Sequence, residues 1–275
     1  MSQKSFNGQN ALFIIPTPIG NMGDLSTRII ETIKLVDIIF CEDTRITGKL
    51  LLNLNIKKKL VSAHNYNEAK VKYKVLECLN NNLNVALMSD RGTPIISDPG
   101  YKIVEEIIKN GHNVIAIPGP TAFVPALVTS GLDASRFLFY GFLSKKNSKK
   151  KEELKSLISF PYTLIFYESP HRILETLKII ESIMGDRYIS ISREITKKFE
   201  EIYRGKITQV IEEIGEPKGE FVIIVSGITQ IMEKDPIKLV KNYIEAGLDK
   251  KEALKIVAKD CNISKSELYK NYLRK

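Results

Sequence analysis

Residues 11–41 read ALFIIPTPIGNMGDLSTRIIETIKLVDIIFC. Leu12-Phe13-Ile14-Ile15 is a short apolar run stopped by Pro16. From Ser26 to Val36 the apolar residues recur at helical spacing (Ile29, Ile30, Ile33, Val36), with Ser26 or Asp24 suited to cap the start. Ile38-Ile39-Phe40-Cys41 is a second apolar run. Continuous apolar strands joined by a helix are the pattern of a parallel sheet covered on both faces. Residues 60–63, 85–88 and 114–117 repeat it, and another helix is expected from Thr44. After Pro118-Gly119-Pro120 and a helix through Leu127 come five more strands, at 137–140, 163–167, 188–192, 200–203 and 221–225. No helical stretch separates the third from the fourth, so that pair is expected as an antiparallel hairpin in a mixed sheet. Asp235-Pro236 then opens a helical tail. The expected class is α/β: domains at 11–118 and 119–230, and a small helical module at 235–275.

The bulk properties narrow the function. The chain has 275 residues, 43% hydrophobic and 27% charged. At roughly 100–200 residues per domain this suggests two domains, and it excludes wholesale disorder. No apolar run approaches the ~18–20 residues of a membrane span, and the polar N-terminal stretch does not read as a secretory signal. Cys41, Cys78 and Cys261 are far apart and no histidines cluster, which speaks against a disulfide framework or a metal site and for a reducing cytoplasm. The net charge of +9 favours a polyanionic partner such as nucleic acid, although only nine of the 41 basic residues are arginine and a lysine-biased composition gives the same sign.

In open α/β sheets ligands bind beyond the C-terminal ends of the strands. The segments found there are Pro16-Thr17-Pro18-Ile19-Gly20-Asn21, Glu42-Asp43-Thr44-Arg45, Ser89-Asp90-Arg91-Gly92-Thr93-Pro94, Ile95-Ile96-Ser97-Asp98-Pro99-Gly100 and Ile117-Pro118-Gly119-Pro120-Thr121-Ala122. The second half adds Tyr167-Glu168-Ser169-Pro170-His171-Arg172 and Arg193-Glu194-Ile195-Thr196-Lys197. The first loop has glycines before a helix, and Glu42 lies 22 residues past Gly20, but the spacing is G-x-x-G rather than the dinucleotide G-x-G-x-x-G. Arg45 and Arg172 are read in the first turns of helices, with Ser169 as cap and Pro170 as first helical residue. The macrodipole disfavours cations there, so a local ion pair with Glu42 or Glu168, or a bound anion, must compensate. Asp90 and Asp98 suit acid–base work, but they also suit turns. His171 is the one histidine beside other useful groups in sequence, and Cys41 reads as a packed core thiol.

Taken in order, these segments closely resemble those of the 16S rRNA cytidine-2'-O-methyltransferases, the ribosomal small subunit methyltransferase I family of the tetrapyrrole methylase superfamily (class III methyltransferases). The resemblance runs from Ala11 to Val225. Arg91 stands where that family usually has a small residue, and Ser144 where it has a proline. The resemblance implies S-adenosylmethionine in the cleft between two α/β domains, methylation of a cytidine ribose in the decoding region of 16S rRNA within the 30S subunit, and a homodimer. Pro18, Gly20, Asp90, Gly92, Thr93, Pro94, Gly119, Thr121, Ala122 and Tyr167 would then face the cofactor. Glu42, Asp43, Glu168 and His171 are the candidates for a base on the ribose hydroxyl, and Arg45, Arg172, Arg193 and Lys197 would hold RNA phosphates. Methyl transfer from a sulfonium needs no metal. A tetrapyrrole methyltransferase on the same scaffold, or a non-catalytic rRNA-binding assembly protein, are the alternatives. Residues 235–275 carry ten Lys/Arg against six Asp/Glu, a net +4. With Gly247 ending one helix and Asp249 and Ser264 capping the next two, they suit an RNA-binding helical module.

Overall fold

The computed structural model describes residues 2–5, 7–215, 217–228, 236–261 and 263–273. The chain forms two compact units, Met1–Ala122 and Phe123–Lys275. In the first, β1 (Ala11–Ile15), β2 (Ile38–Cys41), β3 (Lys59–Ser62), β4 (Val85–Met88) and β5 (Asn113–Ala116) make a sheet in the order β3-β2-β4-β1-β5. All its pairings are parallel. Side chains alternate between the faces of a strand. Phe13 and Ile15 of β1 therefore join Ile29, Ile33 and Val36 of the α1 region (Thr27–Leu35) and Leu51 of α2 (Thr44–Asn53). Leu12 and Ile14 join Val71, Val75 and Leu79 of α3 (Glu68–Asn80) and Ile103 and Ile107 of α4 (Tyr101–Lys109) on the other face. Each such side chain contributes about 1.5–3 kcal/mol by leaving water, which is why the strands read as unbroken apolar runs.

This topology creates the crevice. The segments after β1 and β2 lead to helices on one face, while the segment after β4, which lies between those two strands, leads to α4 on the other. Adjacent strands whose connections part in this way leave a gap at their C-terminal ends. A short 3-10 turn, Met22–Asp24, precedes α1, and Ser26 caps α1 by accepting from the Ile29 N–H at 3.2 Å.

The second unit holds α5 (Phe123–Thr129), β6 (Phe137–Phe142), α6 (Asn147–Ser156), β7 (Thr163–Glu168), α7 (Ile173–Met184), β8 (Tyr188–Arg193), β9 (Glu201–Lys206), α8 (Ile207–Glu213) and β10 (Phe221–Val225). The sheet order is β6-β7-β10-β8-β9, mixed as expected: β6 and β7 are parallel, and β8 and β9 are the antiparallel hairpin. Since β7 and β8 both run antiparallel to β10, their C-termini lie at one sheet edge. Leu154, Phe166, Ile173, Leu177, Ile191, Ile207 and Ile223 are among its core.

One helix start differs from expectation. Ser169-Pro170-His171-Arg172 forms a turn, and α7 begins at Ile173 with Arg172 in the cap position. The Ser169 carbonyl accepts the Arg172 and Ile173 N–H at 3.1 Å each, while the Ser169 hydroxyl, the expected cap, accepts from Arg172 Nε at 3.2 Å.

Three further helices, α9 (Pro236–Glu245), α10 (Lys250–Asp260) and α11 (Lys265–Leu273), share a core of Leu239, Val240, Tyr243, Leu254, Val257 and Leu268, joined by Ile228. Asp249 accepts from the Lys251 N–H and Ser264 from the Glu267 N–H, while Gly247, at φ +94°, follows the first of these helices. Asp235 lies outside the described residues. Among the described residues no helix is long and apolar enough to cross a membrane.

Candidate functional site

In the first unit the loops after β1 and β4 are stitched together. Thr17 and Gly92 exchange backbone hydrogen bonds of 2.9 and 3.1 Å, and the Thr17 hydroxyl donates to the Ser89 carbonyl at 3.2 Å. Gly92 sits at φ +77°, where a side chain would be strained. The loop after β5 joins through Thr93, whose hydroxyl donates to the Pro120 carbonyl at 3.0 Å and lies 2.6 Å from the Thr121 hydroxyl. A Cβ at Gly119 would come within 2.9 Å of Pro16 and Ile29, so the glycine lets this loop close on the first one. Pro18 and Ala122 are half-buried, Pro94 is buried and Gly20 is exposed. Ile95 and Ser97 have φ of 76° and 66°, conformations that cost non-glycine residues about 1–3 kcal/mol each and that concentrate at functional sites.

The carboxylates of this edge form one electrostatic system. Asp90 accepts the Asp43 N–H at 3.0 Å. Burial, more than the charge of Asp43, raises the Asp90 carboxyl above its ordinary range. Burial and then Asp90 raise Glu42, opposed in part by His64. Burial, then Glu42 and Asp90, push Asp98 up to about 7. His64 thus belongs to this cluster, contrary to its isolation in sequence, whereas His171 is exposed in the turn before α7. His64 was concealed because only folding brings the ends of β2, β3 and β4 together, and the same folding sets Asp98, singled out with Asp90 from the sequence, beside Glu42. Cys41 is buried, and burial raises its thiol, so it is no poised nucleophile.

Both helix-start arginines have acidic partners. Arg45 lies in the first turn of α2, and its guanidinium bonds the capping carboxylate of Asp43 through Nε at 3.0 Å and Nη2 at 2.5 Å. These bonds hold Asp43 down at about 2. Arg45 remains 86% exposed and open to a further anion. Arg172 pairs with Glu168 at 2.6 Å. Glu168 is buried at the end of β7, and Phe221 of β10 stands opposite both Glu168 and Arg193. Arg193 pairs with Glu201 at 3.3 Å, and Lys197 bridges Glu194 and Glu220 at 2.8 and 3.1 Å. Tyr167 stacks edge-on against Phe139 and Phe142. Glu194 and Thr196, at φ 51° and 67°, make this a second strained strand-end loop.

A parallel sheet with stitched strand-end loops, followed by a mixed sheet with charged loops at one edge, is the arrangement of a known family. The family described as tetrapyrrole (corrin/porphyrin) methylases matches residues 11–211. The chain belongs to it. Within it, the chain falls in the ribosomal RNA small subunit methyltransferase I group. It is 42% identical to the protein of that name from Bacillus subtilis (strain 168), over 98% of this chain and 97% of that one. It is 38% identical to the one from Escherichia coli O157:H7, over 98% and 96%. Solved structures share the fold at low identity. Uroporphyrin-III-C-methyltransferase from Thermus thermophilus is 15% identical with a TM-score of 0.55, over 80% of this chain and 96% of that one. Diphthine synthase is 15% identical with a TM-score of 0.64, over 79% and 90%.

Proposed function

We propose that this protein transfers the methyl group of S-adenosylmethionine to the ribose 2'-hydroxyl of a cytidine in the decoding region of 16S rRNA. The observation that carries the reading is near-full-length similarity to the ribosomal RNA small subunit methyltransferase I group. The first unit's edge suits the cofactor. S-adenosylmethionine supplies an electrophilic methyl on a sulfonium cation, and carboxylates held above their ordinary range are groups that a nearby cation would relieve. Asp90, Gly92, Thr93, Pro94, Gly119, Thr121 and Ala122, with Pro18, Gly20 and Tyr167, are the residues proposed to face it.

The protein's own task is positioning, which can supply about 7–11 kcal/mol of a barrier. The stitching of Thr17 to Gly92 and Thr93 to Thr121 holds the loops before anything binds. The ribose hydroxyl is a poor acid and needs a proton acceptor. Asp43 is committed to Arg45, and Glu168 to Ser169, Arg172 and Thr176. Glu42, raised by burial and by Asp90, is the better base, with Asp98 beside it. Arg45, Arg172, Arg193 and Lys197 take RNA phosphates, with arginine offering bidentate contacts. A homodimer fits the exposed Val124 and Val128 of α5 and Phe137 of β6, and a cytoplasmic setting follows from the substrate. The test is methyl incorporation from labelled S-adenosylmethionine into purified 30S subunits and into free 16S rRNA, with the modified nucleotide mapped. Incorporation into a porphyrin and not into rRNA, or cofactor binding with no transfer, would overturn the reading.

A further inference from the structure

Lys150 lies in the lysine-rich stretch 145–151 of the sequence, yet its exposure is 0%. Lysine is rarely so buried without a charged partner. Among the described residues no carboxylate lies within ion-pair distance of it. Its ammonium donates to the hydroxyl of Thr176 on α7 at 2.8 Å, and Thr176, also at 0% exposure, donates to Glu168 Oε2 at 2.7 Å. An ammonium has donors only, so Thr176 Oγ1 accepts from Lys150 and its own proton is directed to Glu168. The other oxygen, Oε1, accepts the Ser169 N–H at 2.8 Å and the Arg172 guanidinium at 2.6 Å. Arg172 Nε donates to the Ser169 hydroxyl at 3.2 Å. Its Nη1 is buried and bonds nothing among the described residues. The chain of contacts thus runs from an inaccessible lysine to an arginine whose side chain is 20% exposed, and two cations surround one anion.

We infer that Lys150 is a positioning residue: through Thr176 it fixes Glu168, and through Glu168 it aims Arg172 at a phosphate of the RNA substrate. The inference rests on the rRNA reading and deepens it. A methionine of similar length would fill the same space in the core, so the ammonium at this place has a directional task that packing alone does not explain. Without it the Thr176 hydroxyl is free to turn, Oε2 loses its fixed donor, and the carboxylate that braces Arg172 can rotate.

The test uses the full-length protein and the variants Lys150→Met, Thr176→Val, Thr176→Ser and Arg172→Ala. Circular dichroism checks folding, calorimetry reads S-adenosylmethionine affinity, and binding and methyl transfer are measured on 30S subunits and 16S rRNA. Lys150→Met is expected to keep the parental cofactor affinity and to lose about 10- to 100-fold in methyl transfer, the scale of a small displacement of a positioned group. Thr176→Val should match it, and Thr176→Ser, which keeps the hydroxyl, should restore what the valine loses. In an Arg172→Ala background Lys150→Met should cost no further rRNA affinity, because its route to the substrate has gone. A merely structural lysine would carry its full cost into that background, and that outcome overturns the inference. Parental rRNA affinity and rate in Lys150→Met overturn it as well. If Lys150→Met does not fold, the two Thr176 variants decide. A parent that transfers no methyl group to rRNA overturns the rRNA reading itself and this inference with it, which separates the two failures.

Discussion

Asp98→Asn should stabilise the protein, and by an amount that grows with pH. The Asp98 carboxyl is pushed from 3.8 to about 7 by burial and by Glu42 and Asp90. Below about pH 4 it is protonated both folded and unfolded and costs nothing. Between there and pH 7 the unfolded chain releases the proton while the folded one keeps it, so stability falls as pH rises through this window. Above 7 the whole penalty is present. A shift of about three pH units corresponds to about 4 kcal/mol at 1.36 kcal/mol per unit. The side chain is only half-buried, and solvent screening cuts this to about 2 kcal/mol. Asparagine keeps the shape and removes the charge. Urea unfolding of parent and variant across this range should show nearly equal stability at about pH 4 and a gain of about 2 kcal/mol for the variant at about pH 8. A difference independent of pH, or a variant less stable at pH 8, would refute the claim that repulsion and burial act on Asp98. If the sulfonium lies near these carboxylates, the parent's cofactor affinity should also rise with pH over the same window, and Asp98→Asn should flatten the rise.

Asp90→Ala removes the acceptor of the Asp43 N–H and should weaken S-adenosylmethionine binding while the fold is retained; unchanged affinity in calorimetry would take Asp90 out of the site. Arg45→Ala should leave the melting temperature and cofactor affinity unchanged, since the side chain is exposed, but lower rRNA methylation; the parental rate would make Arg45 merely the partner of Asp43. Removing the chain after Gly227 should spare cofactor affinity, weaken 30S or rRNA binding and flatten its salt dependence, because fewer phosphate counterions are released. An equal salt slope in the truncated protein would leave α9, α10 and α11 as a structural cap.

The strands β1, β2, β4 and β10 were legible because they are buried along their whole length, where every position demands an apolar side chain. The caps at Ser26, Asp249 and Ser264 were legible because a cap is a local bargain between one side chain and a backbone N–H a few residues on. What was misread lies outside that bargain. Ser169-Pro170 satisfies the local grammar of a helix start, yet the Ser169 hydroxyl accepts from Arg172 Nε instead of capping a backbone N–H, and α7 begins at Ile173. Lys150 vanished into a charge run, although one signal was present. It stands four residues before Leu154 and seven before Leu157, the spacing of a buried helix stripe, and both leucines are buried.

The same distinction separates the candidate carboxylates by role. Asp43 and Glu168 are the acids with adjacent arginines, and in both the folded chain uses the carboxylate to hold a guanidinium in place. A group whose lone pairs are spent on such bonds has little left for a proton from a ribose. Glu42 and Asp98 lack an arginine partner among the described ion pairs, and their environment opposes their charge. Such groups destabilise the fold, gain from a cation, and accept a proton at lower cost than an ordinary carboxylate. The proposed division of labour, in which paired acids aim cations at RNA and unpaired acids meet the cofactor or take the proton, rests on burial and pairing, neither of which a list of acidic residues contains.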